Sequence, residues 1–217
     1  MRRVLIAMLI FCGVSALTAA DALCIIRNGA FTRSGYWLRQ ERNTPASPEG
    51  VVFNGKDSVV WIKLNKFSTP MRSFSVAADL VVDEFPASGN ACIAVRPGYH
   101  NIFGIDSTGR ANFSVYAADR KNRRVVFSRT KLKPGERVRL AGVLERIDDG
   151  EYDVVLYVNG VAEGKATLYG EPFPYDRDYF YLGGAGMKQE GVSFRGKILN
   201  LWAAESGLSR DEIDRLK

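Results

Sequence analysis

The side chains that could do covalent or acid–base chemistry are few. There is one histidine, His100, and there are three cysteines, Cys12, Cys24 and Cys92. His100 lies in Arg96-Pro-Gly-Tyr-His-Asn101 with no serine or cysteine nucleophile context. Two cysteines beyond the N-terminal 22 residues are too few for a zinc site. The carboxylates offer one cluster, Glu145-Arg-Ile-Asp148-Asp149-Gly-Glu151-Tyr-Asp153. Glycoside hydrolysis needs an acid and a second carboxylate on either side of the scissile bond. Carboxylates that share a strand face recur at every second residue. Asp149, Glu151 and Asp153 keep that spacing, but they begin in Asp148-Asp149-Gly150, which reads as a hairpin turn and not as the middle of a strand. Asp83-Glu84 before Pro86 reads as a turn in the same way. No residue is therefore assigned a catalytic role.

Groups that could bind are more numerous. Sugars are held by aromatic faces and planar hydrogen-bonding groups, and three segments bring both. They are Arg96–Asn101 with Arg96, Tyr99 and His100, Phe173–Asp178 with Tyr175 and Arg177, and Tyr36–Gln40 with Trp37. Loops carried on a rigid scaffold are where such residues tend to sit. The formal net charge is +6, and its densest concentration is Arg120-Lys-Asn-Arg-Arg124. Arg120, Lys121, Arg123 and Arg124 form a candidate patch for an anionic polymer, held by salt-sensitive charge.

The elements that must position these residues are strands. Phe74, Val76, Ala78, Leu80 and Val82 alternate with polar or small residues. So do Phe113, Val115 and Ala117, with Asn112, Ser114 and Tyr116 facing the other way. Val138, Leu140 and Leu144 repeat the pattern, as do Tyr152, Val154, Leu156 and Val158. Asp106-Ser-Thr-Gly109, Asp148-Asp-Gly150 and Asn159-Gly160 divide the runs as hairpin turns. About a dozen short strands imply an all-β, two-sheet antiparallel sandwich. One helix is specified at the end. Ser209-Arg-Asp-Glu212 is a capping box, flanked by Leu208 and Ile213 as a hydrophobic staple.

The first residues read as a targeting segment. Met1-Arg2-Arg3 precedes the apolar stretch Val4–Ala20 and the small-x-small site Ala20-Asp21-Ala22, the order of a secretory signal peptide. The apolar stretch falls short of the ~20 residues a membrane-spanning helix needs. Residues 1–22 are therefore expected to be removed, with secretion or release to a periplasm. The alternative is retention as an anchor. No later segment is long and apolar enough to span a bilayer. Export permits a disulfide, and Cys24 and Cys92 are its candidates. Residues 23–49 read as an N-terminal arm and 50–217 as one domain. Export and the lack of a recognition fold argue against nucleic acid as a partner.

Five segments in order carry a family likeness: Val51–Ile62, Ser73–Val82, Phe103–Tyr116 around Asp106-Ser-Thr-Gly109, Leu156-Tyr-Val-Asn-Gly160, and Phe194-Arg-Gly-Lys-Ile198 through Leu208–Ile213. Together they resemble the laminin-G-like jelly roll of the concanavalin A-like lectin/glucanase superfamily over residues 50–217. The resemblance implies a jelly-roll sandwich with a short C-terminal helix. It also implies that a Ca²⁺ ion is the cofactor to look for. Asn54, Asn159 and Leu199 stand where relatives often have aspartate, so Glu49 and Asp57 are the remaining candidate ligands. Arg137 stands where relatives often have tryptophan. The expected function is a non-catalytic binding module for a glycan or cell-envelope polymer. A structural or adhesive protein–protein module is the alternative, and a glycoside hydrolase with an atypical site is a second.

Overall fold

The computed structural model describes residues 22–32, 35–64, 73–95, 101–173, 179–184 and 193–217. Among them are sixteen strands and one helix. In chain order the strands begin β1 (Leu23–Arg27), β2 (Ala30–Phe31), β3 (Tyr36–Arg42), β4 (Ala46–Ser47), β5 (Gly50–Asn54), β6 (Val59–Leu64), β7 (Phe74–Glu84) and β8 (Asn90–Val95). They continue β9 (Asn101–Asp106), β10 (Arg110–Tyr116), β11 (Arg123–Lys131), β12 (Arg137–Asp148), β13 (Glu151–Val158), β14 (Val161–Tyr169), β15 (Tyr179–Leu182) and β16 (Arg195–Ala204). The helix α1 spans Arg210–Arg215.

The strands form two antiparallel sheets, as the alternation implied. The first runs β14-β13-β12-β7-β16-β1-β2, with β5 also paired to β16 and β4 to β5. The second runs β11-β10-β9-β8-β15-β6-β3. The architecture is an all-β sandwich of the jelly-roll type. The segment before residue 50 enters both sheets, through β1 on β16 and β3 on β6. The strands beyond the expected dozen include the two-residue β2 and β4. They also include β14, whose exposed and half-buried residues show no clear alternation.

The inward positions meet in one core. Phe74, Val76, Ala78, Leu80 and Val82 of β7 face Phe113 and Val115 of β10 across it. The ring of Phe113 lies 5.6 Å from that of Phe74 and 6.4 Å from that of Phe103. It fits because β12 has a glycine at the inward position between Leu140 and Leu144. A Cβ on Gly142 would stand 2.5 Å from the Phe113 ring. The β13–β14 hairpin turns through Asn159 and Gly160, with φ of 49° and 76°, as the Asn-Gly pair predicts.

Part of the outward face of the first sheet is covered by α1. Ser209 caps the helix, and the reciprocal bond from the Ser209 backbone N–H to Glu212 completes the box. Leu208, Ile213 and Leu216 pack with Ala77, Val143 and Trp202 in a second apolar cluster. Beside it lies a buried polar hub. Asp79 accepts from Arg139 Nε at 2.6 Å, Arg137 Nη2 at 2.9 Å and Asn200 Nδ2 at 2.9 Å. Arg139 also donates to the carbonyls of Ile213 and Leu216 at the end of the helix.

The candidate bridge between Cys24 and Cys92 is not formed. Cys24 is on β1 of the first sheet and packs against the cluster under α1, whereas Cys92 is on β8 of the second sheet, and both are free thiols. Burial pushes the Cys92 thiol up to about 12.

Candidate functional site

With α1 over the first sheet, the outward face of the second is the surface to consider for binding. Cross-strand partners share a face, so the register assigns its residues. One transverse row runs Val125, Ser114, Ile102, Val95, Tyr181 and Trp61 across β11, β10, β9, β8, β15 and β6. A second row holds Phe127, Asn112, Gly104 and Cys92. Tyr116 lies opposite Arg123 at the next position. Ser114 and Tyr181 are three strand spacings apart, about 14 Å, and Asn112 and Ser114 are about 7 Å apart along β10.

At one end of this face Phe127 exposes 43% of its surface. It lines a cleft of about 380 Å³ with Asp106, Thr108, Arg110 and Lys131. The β9–β10 turn builds one wall. Asp106 Oδ1 accepts from the N–H of Thr108 at 2.8 Å, its hydroxyl at 2.7 Å and the N–H of Arg110 at 3.0 Å. Desolvation raises the Asp106 pKa, but these bonds outweigh it and hold the carboxyl below the usual aspartate range.

Behind Phe127 the face is polar and buried. Asn112 Nδ2 donates to Asn90 Oδ1 at 3.0 Å, over the side-chain-free Gly104. Arg123 Nη2 donates to Ser114 Oγ at 3.2 Å, and its guanidinium lies 5.1 Å from the Tyr116 ring. Two buried atoms in this line, Asn112 Oδ1 and Arg123 Nε, have no hydrogen-bond partner among the described residues. Buried polar atoms are otherwise almost always paired. At the far end Trp61 and Tyr181, both half-buried, meet edge to face at 4.9 Å.

The expected loop residues stand apart from this description. Arg96, Tyr99, His100, Tyr175 and Arg177 lie outside the described residues, and Trp37 is placed on β3 opposite Lys63. The side chains of the basic run take different directions. Arg120 stacks over the Phe173 ring at 4.4 Å. Arg124 donates to the Thr167 carbonyl at 2.8 Å, toward the first sheet, while Arg123 turns to Ser114. Consecutive strand residues point to opposite faces, so Arg123 and Arg124 separate. Lys121 is exposed at the turn.

The carboxylates are committed locally. Glu49 pairs with Lys197, which holds its pKa low. Asp57 accepts from Asn54 Nδ2 at 2.7 Å and Asn43 Nδ2 at 2.6 Å. Among the described residues no group of three or more His, Cys, Asp or Glu side chains is placed to hold a metal ion. Asp149 and Gly150 form the expected turn, but Glu145 and Asp153 face each other across β12 and β13. Asp153 is bound by Lys165 Nζ at 2.7 Å. Desolvation raises the pKa of Glu145, with Glu212 and Asp153 adding to it. Glu145 and Asp153 thus repel each other, as do Glu145 and Glu212 of α1, and nothing among the described residues ties these carboxylates into one acid–base pair.

Residues 54–214 match a laminin G family described as the concanavalin A-like lectin/glucanases superfamily. The chain belongs to the concanavalin A-like lectin/glucanase superfamily. A search of the curated proteins finds no match. Several solved structures share the fold of this superfamily member. Trypanosoma rangeli sialidase is 17% identical with a TM-score of 0.64, covering 89% of this chain and 32% of its own. The binding domain of botulinum neurotoxin DC, in complex with SialylT, is 13% identical with a TM-score of 0.64, covering 90% and 50%. A candidate carbohydrate-binding protein of Bacteroides ovatus is 15% identical with a TM-score of 0.54, covering 89% and 46%. The chain thus spans about a third of the sialidase and about half of the other two. Among the described residues no helix is long and apolar enough to cross a membrane.

Trp61, Phe127, Arg110 and Lys131 were not singled out from the sequence. The signal for part of the site was present, because alternation already placed Asn112, Ser114 and Tyr116 on the outward face of their strand.

Proposed function

We propose that this protein is an exported, non-catalytic glycan-binding module, and that the outward face of its second sheet is the binding surface. One observation carries the reading. An exposed aromatic ring, Phe127, stands in a cleft with planar and charged groups, beside a buried polar line in which one acceptor and one donor are unpaired among the described residues. A sugar presents both chemistries. Its C–H face packs on an aromatic ring, and its hydroxyls donate and accept. The solved neighbours support the class, since one is a candidate carbohydrate-binding protein and another is a binding domain in complex with SialylT. Removal of residues 1–22 fits this role and spares β1, which begins at Leu23.

A glycan array run with the protein and with Phe127→Ala tests the reading. The protein binds a subset of glycans, and Phe127→Ala weakens those signals about tenfold or more. Val161→Ala, which truncates an exposed side chain on the β13–β14 hairpin, leaves them unchanged. Absence of binding to any glycan, or equal signals from the protein and Phe127→Ala, overturns it.

A further inference from the structure

The cleft at Phe127 also carries information about the ligand's charge. Arg110 and Lys131 lie opposite each other in the register of β10 and β11, and both line the cleft. Neither appears in an ion pair among the described residues, although other surface cations do, such as Arg195 with Glu84 and Lys165 with Asp153. The one carboxylate in the cleft, Asp106, is engaged by three donors of its own turn. Two cations therefore face one carboxylate, which is held by its own turn and also lies in the field of Arg110. Farther along the same face Arg123 adds a third cation, again with no acidic partner among the described residues. Arg110 and Lys131 outnumber Asp106, so the cleft keeps a net positive charge that favours an anionic ligand.

We propose that the ligand is an acidic oligosaccharide, with a carboxylate or sulfate between Arg110 and Lys131 and the adjoining sugar ring against Phe127. This rests on the glycan reading above and deepens it. Arginine offers a planar fork to an oxyanion, and lysine a point charge. The neighbouring ring supplies the apolar contact that an inorganic anion could not use. Arg110 and Lys131 discriminate the acid, and Phe127 the sugar.

The test is binding to matched pairs of probes. These are an oligogalacturonate and its carboxyl-reduced counterpart, a carrageenan tetrasaccharide and its desulfated form, and sialyllactose and lactose. At least one acidic member binds about tenfold or more tightly than its neutral partner. Arg110→Gln with Lys131→Gln removes that difference, bringing the acidic member's affinity down to about that of its neutral partner. Preference for carboxylated or for sulfated probes identifies the acid. Affinity for the acidic member falls with salt, and less steeply in the double variant. Equal binding of acidic and neutral members, or a preference that survives the double variant, overturns the proposal and leaves the glycan reading standing. Absence of binding to every member of the panel and of the array overturns both. Circular dichroism of the double variant, matching the parent, separates loss of binding from loss of fold.

Discussion

Asp79→Ala is expected to cost about 3–5 kcal/mol of folding stability, the range for removing one partner of a buried ion pair. The Asp79 side chain is only 4% exposed. It is bound in two places by Arg139, through Nε at 2.6 Å and Nη2 at 3.0 Å, and also by Arg137 and Asn200. Two of these partners have a second commitment. Asn200 Oδ1 accepts from the Asn28 N–H at 2.9 Å, tying in the turn after β1. Arg139 reaches the last carbonyls of α1 and lies 5.3 Å from the Trp202 ring. Alanine leaves this guanidinium half-buried without its counter-charge, and α1 loses its anchor.

The same hub has a pH signature. Burial pushes the Asp79 pKa up, but bonds from Arg139, Asn200 and Arg137 outweigh it and leave the folded value below the usual one. A carboxylate with a lowered folded pKa contributes stability that is full above its unfolded pKa of about 4. That contribution fades as pH falls through the lower folded value. Urea unfolding at pH 7 should therefore separate parent and Asp79→Ala widely, and the gap should narrow below pH 4. A gap under ~1 kcal/mol at pH 7, typical of exposed pairs, would show that the hub is not structural.

The second large effect concerns the seam between the sheets. Phe113→Ala should cost about 3–5 kcal/mol, as large aromatic truncations in a core do. Its ring is fully buried, contacts Phe74 and Phe103, and fills the space left by Gly142. Gly142→Ala should cost about 1–3 kcal/mol for the opposite reason, because the new methyl meets that ring. The two sites share one volume, so Phe113→Leu should relieve part of the Gly142→Ala penalty, and the double variant should cost less than the sum. Strict additivity in thermal or denaturant unfolding would refute the pairing of ring and glycine.

The strands and their inward faces were legible because alternation is local. Phe74 through Val82 and Tyr152 through Val158 state their side without reference to the rest of the chain. Asn159-Gly160 and the Ser209–Glu212 box were legible for the same reason, since each encodes a backbone geometry in adjacent residues. Asp79 shows where such reading ends. Alternation places it outward, but its burial depends on Arg137, Arg139 and Asn200, which arrive from β12 and β16. The candidate site followed the same division. Asn112, Ser114 and Tyr116 could be assigned to a face, yet the Phe127 cleft needs the β9–β10 turn and β11 side by side. The Arg120–Arg124 run looked like one charge cluster because sequence proximity hides which side of a strand each residue takes.

Sugar binding at the outward face of the second sheet can be mapped residue by residue. The most direct measurement is an amide-resolved NMR titration with the strongest-binding oligosaccharide of the array. Shifts should concentrate on β10 and β11, at Arg110, Asn112, Ser114, Arg123 and Phe127, and extend toward Trp61 and Tyr181 if the glycan is long. Shifts confined to α1 and the outward face of the first sheet would contradict the claim.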